Sequence, residues 1–440
     1  MKAPAFLFFE NVFETDWGTY VLMEITSDFV VVIVVLVLTG LLGLLLLYRS
    51  GVLKSFAAWV VSVLLLALAL GLRAYMFDYE TLDYINFLSR WVDFFRRYGG
   101  FLALQFPIGN YNIPYLYFLA IFSSLPMDDL YLIKLLSTLS DLLLAWSVLL
   151  LCRRFTGSHP RLLAAFFTTL FLPTVYLNSA VWGQCDSLYV APLLLGIYCA
   201  LSDRPWTSMI LAAVAFGFKL QAVFILPIYA VFLMSGKLHW KHILAFPATY
   251  LLLVLPAVFM GRPLWETVTL YFNQTGSIGS GLNYNSPSVF AIFINIKDPS
   301  LASAAAIILA FLYMLNLLAV AWVNRKKMND RAVLALCLLF AIGIPFLLPH
   351  MHERYFYGAD ILSLVLAFSV PIYFPLALLV QFASLLGYHA YLKMRYLLLM
   401  NHGAAALIAA LACSMVCLLG ALRESQPGKR KPHTAPAKSS

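Results

Sequence analysis

Seven long apolar runs, at residues 28–48, 55–74, 130–151, 242–260, 302–323, 331–349 and 403–422, constrain this chain more than any motif in it. Each has the roughly 20 residues that a helix needs to cross a hydrocarbon core. A helix also satisfies its own backbone N–H and C=O groups where no water can. Six shorter runs, at 160–176, 187–202, 207–217, 220–235, 357–371 and 372–391, are interrupted by Gly, Pro or polar residues and read as short or broken spans inside the bundle. The sum is an all-α polytopic membrane protein with about 13 transmembrane helices. Composition agrees: 62% of the 440 residues are hydrophobic and only 11% charged, so the exterior must be solvated mainly by lipid.

Lys and Arg orient the bundle, because they are retained on the cytoplasmic side. Arg49 and Lys54 follow the first run, Arg153, Arg154 and Arg161 the third, Lys237 and Lys241 the seventh, and Arg325, Lys326, Lys327 and Arg331 the ninth, counting all thirteen in order. This places the N-terminus outside, the C-terminus inside, and the stretches 75–129, 177–186, 261–301 and 350–356 outward. The apolar segment "IPYLYFLAIFSSLP" (113–126) is too short to span and is expected as an interfacial helix within the outer loop 75–129. The organisation is then an outer leader (1–27), a membrane domain (28–422) and a basic, disordered cytoplasmic tail (423–440). The leader carries Glu10, Glu14, Asp16 and Glu24 against a single Lys2, which is not the pattern of a cleaved signal.

The net charge of +9 resides largely in the tail and in "NRKKMNDR", so it anchors the protein and does not point to nucleic acid. Six cysteines are scattered without a CxxC pair, which predicts neither a disulfide framework nor a zinc site. The Asn273-Gln274-Thr275 sequon falls in an outer loop.

Polar residues gather on the predicted outer side. In "FDYETLDYINFLSRWVDFFRRYGG" (77–100), Asp83, Phe87, Arg90, Trp91 and Phe94 fall at helical spacing, giving either a substrate-facing stripe or an amphipathic surface helix. The loop "LQFPIGNYNIPYLYFLA" contributes Tyr111 and Asn112, and reads equally as turn chemistry. "LNSAVWGQCDSLYVAPL" is an outward turn with Trp182, Gln184 and Asp186, and "FGFKLQAVFILP" places Lys219 and Gln221 between two half-length helices. A lysine there needs a partner or an anionic ligand, unless it snorkels to the interface.

"LLPHMHERYFYGADILSLVLAF" (347–368) concentrates His350, His352, Glu353, Arg354 and Asp360 at the mouth of an apolar run. It lacks the i, i+4 histidine pair of a helical zinc motif. An arginine fork with a histidine donor suits a phosphate, and the bland alternative is a structural pair between Glu353 and Arg354.

The order of "DY…W" after the second run, "NYNIPYLY", "DLLLAW" (141–146), "WGQCDS" (182–187), "FKLQA" (218–222) and "LPHMHERYFYGAD" (348–360) resembles the GT-C superfamily of polytopic glycosyltransferases. The nearest likeness is to a prokaryotic, mannosyltransferase-like branch related to the dolichyl-phosphate-glucose-dependent glucosyltransferases. It covers about residues 70–370. The resemblance implies an inverting transfer of a hexose from a polyprenyl-phosphate donor to a glycan, lipid or protein hydroxyl, in a cavity facing away from the cytoplasm. A bacterial plasma membrane is the matching location. Asp83, a few residues before Trp91, matches the family's catalytic carboxylate, with Asp78 and Asp93 as competitors. Asp141 matches its intramembrane aspartate, and His350 and His352 its later histidine region. The first run (28–48) is an extra span, and "YNSPSVFAIF" (284–293) fits loosely.

The chemistry these residues could perform is consistent with that likeness. A carboxylate near the attacking hydroxyl serves as general base, which is the expectation for Asp83. Arg354, His352 and Lys219 are expected to meet the departing phosphate. Trp91 and Trp182 could stack on a sugar ring, with Tyr111, Asn112, Gln184, Asp186, Gln221, His350 and Glu353 as further substrate contacts. No resident metal is expected, and Mg²⁺ or Mn²⁺ is left open as a helper. The rival class is a transporter or lipid-linked sugar flippase, since broken helices with intramembrane charge also serve transport. Against it, the chain shows no two similar halves, and its ionisable groups cluster at the ends of the runs.

Overall fold

The structure is a computed structural model and describes residues 27–271, 281–293 and 295–424. Residues 1–26 of the expected leader, the sequon and residues 425–440 of the expected tail lie outside the described residues. Among the described residues eight helices are long and apolar enough to cross a membrane: Asp28–Arg49, Phe56–Tyr75, Asp129–Cys152, Trp240–Phe259, Pro299–Val323, Asp330–Leu347, Pro371–Leu392 and Met400–Glu424. The expected run at 372–391 thus joins the full-length set. A ninth candidate, His159–Phe171 with Pro173–Val181, is bent by 44°. The cause is local: a residue before proline is held out of the helical region, and Leu172 has an extended ψ of 125°. Three further apolar helices, Asp186–Leu201, Pro205–Phe218 and Tyr357–Ser369, are shorter. The expected span at 220–235 is instead a 3₁₀ turn, Leu220–Phe224, followed by the seven-residue helix Ile228–Met234.

The chain divides into two compact units. The first comprises residues 1–223, 241–280 and 388–395. Its principal helices are α1 (Ser27–Arg49), α2 (Phe56–Tyr75), α3 (Ser89–Arg97), α4 (Ile113–Phe122), α5 (Asp129–Cys152), α6 (His159–Phe171), α7 (Asp186–Leu201), α8 (Pro205–Phe218) and α9 (Ala245–Phe259). α1 and α2 expose Leu38 and Leu64, as lipid-facing helices do. α5 is buried along most of its length and starts under a cap from Asp128, whose carboxylate accepts the Leu130 N–H at 2.9 Å.

Inside the apolar layer α2 and α5 are joined by an ion pair. Arg73 donates through Nε (3.0 Å) and Nη2 (2.8 Å) to Oδ2 of Asp141, and the same carboxylate accepts from Ser179 (2.5 Å) and Ser187 (2.6 Å). The remaining guanidinium donors reach the carbonyls of Ala69 and Leu170. Lys134, also on α5, donates to the carbonyls of Met76, Phe77 and Tyr79 and so holds the backbone that leaves α2.

α4 corrects an expectation. Its ten residues rise about 15 Å, too little to span, but it is not an interfacial helix: Ile113, Leu116, Leu119 and Ala120 are fully buried among Val92, Phe95, Ile133 and Val254. Pro114 in its first turn and the Asn112 side chain accepting the Ile113 N–H at 2.9 Å start it.

The second unit comprises residues 224–240, 281–387 and 396–440. It holds α10 (Pro299–Val323), α11 (Asp330–Leu347), α12 (Tyr357–Ser369), most of α13 (Phe374–Leu392) and α14 (Met400–Glu424). α11 is its buried axis; Asn329 caps it by accepting from Ala332 at 2.8 Å, and Tyr313 on α10 donates to the carbonyl of Leu339 at 3.0 Å. A two-residue parallel ladder pairs β1 (Asn283–Tyr284) with β2 (Met351–His352).

Candidate active site

The segment after α2 re-enters helix at Leu82 and Asp83 and then widens into a π turn, Tyr84–Leu88, before α3. A π turn takes more residues per revolution than an α-helix, so the side-chain phase shifts. The buried face is Tyr84, Leu88, Trp91, Val92 and Phe95, while Phe87 and Arg90 are exposed. The single stripe expected for Asp83, Phe87, Arg90, Trp91 and Phe94 is therefore not formed. Burial, with the charges of Asp129 and Asp128 next, pushes the Tyr84 phenol above its ordinary range.

Asp83 is half-buried, and its Oδ2 accepts two N–H donors, Nε1 of Trp182 and Nε2 of Gln184, each at 2.9 Å. Its backbone N–H donates to the hydroxyl of Tyr391 at 3.1 Å. Two residues earlier, the Thr81 hydroxyl donates to the carbonyl of Trp182 at 3.1 Å, docking this strand of loop onto the turn that carries both donors. That turn is a second π turn, Leu177–Val181, followed by Gly183 at φ +75°, a left-handed conformation glycine adopts without strain.

Gln184 links Asp83 to a deeper polar group. Its Oε1 accepts from the Tyr111 hydroxyl at 2.7 Å and from Lys219 at 3.5 Å, which fixes the amide with its NH₂ toward Asp83. Lys219 lies over the Tyr111 ring, 5.4 Å from its centroid, and pairs with Oδ1 of Asp186 at 2.5 Å. The other Asp186 oxygen accepts from Asn178 at 2.7 Å, and Asn178 also donates to Tyr388 at 3.1 Å. Asp186 opens α7, where the helix N-terminus favours a negative charge.

Several expected roles change. Trp182 is fully buried, stacked on Tyr391 at 4.1 Å and edge-on to Tyr388 at 5.3 Å, so it offers no face to a sugar and acts as a donor to Asp83. Trp91 is covered by Gly109, where an added Cβ would lie 2.9 Å from the indole, and it packs edge-on to Tyr111. Asn112 caps α4 and donates to Tyr250 at 3.2 Å, fully buried. Lys219 has its charge committed to Asp186, not held open for a phosphate. Gln221 joins none of these bonds, and its buried Oε1 has no hydrogen-bond partner. The competitors of Asp83 are otherwise engaged: Asp78 accepts from Tyr131 at 2.7 Å and Asp93 from Arg96 at 2.5 Å.

The histidine cluster belongs to the second unit. His350 stands at φ +61° with Nδ1 2.7 Å from the carbonyl of Gly281. His352 stacks on Tyr284 at 4.7 Å. Glu353, nearly buried, accepts from Arg354 at 3.0 Å, so the structural pair foreseen as the bland alternative is formed. Among the described residues no group of three or more His, Cys, Asp or Glu side chains gathers as a metal site.

Asn178, Tyr388, Tyr391 and Arg73 are the polar partners that sequence reasoning missed. Asn178 sits inside a stretch already singled out, but the two tyrosines lie in an apolar run near the other end of the chain with no local signal.

The sequence profile of glycosyltransferase family 87 matches residues 110–349. The match contains Tyr111, Asp141, Trp182, Gln184, Asp186 and Lys219. Asp83 stands before it, yet its side chain is held by two residues within it. No curated protein and no solved structure matches the chain.

Proposed function

Since this chain belongs to glycosyltransferase family 87, we propose that it transfers a hexose from a polyprenyl-phosphate sugar to an acceptor hydroxyl, with inversion, on the outer face of a bacterial plasma membrane. Asp83 is the general base of this reading. The observation that carries it is the double N–H clamp on one carboxylate oxygen, which orients a half-buried acid on the loop beyond α2. A base must be held within hydrogen-bond reach of the proton it takes, and a locked carboxylate plane does so without a reorganisation cost. In the transfer, the acceptor O–H proton passes to Asp83 as the acceptor oxygen bonds to the anomeric carbon. The bond from that carbon to the phosphate oxygen breaks, and polyprenyl phosphate leaves with the electron pair. Lys219 and Tyr111 act at one remove, by orienting Gln184.

The family supports a transferase and so favours this reading over a transporter or flippase. A mannose-type hexose is the sugar the GT-C likeness favours. The test is Asp83→Asn, which preserves shape and removes the basic oxygen. In proteoliposomes with labelled polyprenyl-phosphate hexose, turnover should fall by roughly 10²–10⁴-fold with donor binding retained. Turnover near the parent value would remove Asp83 from the chemistry, and sugar flux without transfer in the parent would favour transport.

A further inference from the structure

α10 carries one polar side chain where a lipid-facing helix should have none. Asn316 is exposed, six residues before Trp322, whose ring lies under Arg325 at the end of the helix. Tryptophan marks the membrane boundary, so Asn316 lies about 9 Å deeper in the membrane. Beyond the end turns of the eight long helices, the other charged or amide side chains among the described residues are Lys134, Asp141 and Gln381, and all are buried. One Asn316 N–H returns to the carbonyl of Leu312 at 2.9 Å, and the amide makes no other hydrogen bond among the described residues. Its oxygen and its second N–H therefore face hydrocarbon, where acyl chains offer neither donor nor acceptor.

The residues in line with Asn316 recur at alternating intervals of four and three: Ala305, Leu309, Leu312, Asn316, Ala319 and Val323, all exposed. That repeat is the seam of a left-handed helix pair. It differs from the face by which α10 packs into its own unit, which is Ala306, Ala310, Leu317 and Ala321. From residue 305 to residue 323 the seam rises about 27 Å, nearly the whole of a hydrocarbon core of about 30 Å. Residues 299–323 contain no charged side chain, and the small Ala305 and Ala319 let a second backbone approach closely.

Symmetry says what completes the amide. Two copies of one chain share one orientation in a membrane, so a two-fold axis along the membrane normal pairs α10 with α10 in parallel and brings Asn316 to the depth of its own copy. A residue beside such an axis must be complementary to itself. A lysine or an aspartate would repel its copy, whereas each amide sets a negative oxygen against the other's positive N–H. We infer that α10 is the self-association face of this protein, and that a parallel α10 pair is closed by a reciprocal Asn316–Asn316 amide pair. The inference does not depend on the transferase reading, because its test reads association and not turnover.

The test uses the full chain fused to a donor or an acceptor fluorescent protein, mixed in liposomes and followed by energy transfer as added lipid dilutes it. The parent should dimerise, and Asn316→Leu should raise the dissociation constant about tenfold. Asn316→Gln, which keeps a self-complementary amide, should stay within about threefold of the parent. Single cysteines in a Cys413→Ser background locate the contact: oxidation should join two chains through Leu312→Cys on the seam, and not through Phe311→Cys, which is exposed but points off it. A monomer at every dilution, an Asn316→Leu dimer as tight as the parent, or cross-linking through Phe311→Cys in preference to Leu312→Cys would overturn the assignment. A stoichiometric complex with a different membrane protein, lost in Asn316→Leu while the pure chain stays monomeric, would overturn it in favour of a foreign helix.

Discussion

Removing one member of the Arg73–Asp141 pair should be far more damaging than removing both. The two side chains are 1% and 0% exposed, in the apolar layer, and the carboxylate collects four donors: two from Arg73 and one each from Ser179 and Ser187. Asp141→Leu leaves a guanidinium with only the Ala69 and Leu170 carbonyls, an uncompensated buried charge that costs about 3–5 kcal/mol. Arg73→Leu leaves the carboxylate with its two serines, so its cost should sit at the lower end of that range. The double variant Arg73→Leu with Asp141→Leu removes both charges. Its remaining cost comes from the serine hydroxyls, about 1–3 kcal/mol for each left unsatisfied. Ser179 has the Val175 carbonyl as a fallback at 3.1 Å, which keeps that cost low. The double-mutant cycle should therefore show the double at least about 2 kcal/mol more stable than the sum of the singles. SDS-induced unfolding of the four proteins in mixed micelles, followed by tryptophan fluorescence, measures it. Additive singles, or either single costing under about 1 kcal/mol, would mean the pair does not carry the α2–α5 junction.

Trp182→Phe keeps a ring against Tyr391 but loses the N–H that holds Asp83; with a hydrogen bond to a charged group worth about 1.5–3 kcal/mol, turnover should fall about 10- to 150-fold with donor affinity retained, and an unchanged rate would separate the clamp from catalysis. Orientation is testable by single cysteines in intact cells: with Cys413, the exposed one among the described cysteines, replaced by serine, a label site in 75–110 should react with an impermeant maleimide from outside and one in 324–330 should not. Reaction of both from one side would end the outward assignment of the Asp83 loop.

What the sequence determined by itself was every feature that depends on the sum or the period of nearby residues. The long spans follow from apolar length alone, which is why α1, α2, α5, α10, α11 and α14 fall within a few residues of their expected bounds. The turn after Phe171 follows from Pro173, and Asp83 stood out through its helical spacing to Trp91 and the likeness of that pair to the family's carboxylate before a tryptophan. Only the tertiary structure decided what these groups touch. The partners of Asp83 lie 99, 101 and 308 positions away, and Arg73 is 68 positions from Asp141. No local periodicity encodes such distances. The π turn at Tyr84–Leu88 also shifted the phase on which the stripe reading relied. Trp182 and Lys219 looked like ligands for sugar and phosphate because an aromatic ring and an ammonium suit both, and their types hold no record of what will fill their surroundings. Folding resolved it: a buried N–H or ammonium is costly without a partner, and in the structure Trp182 donates to Asp83 and Lys219 to Asp186.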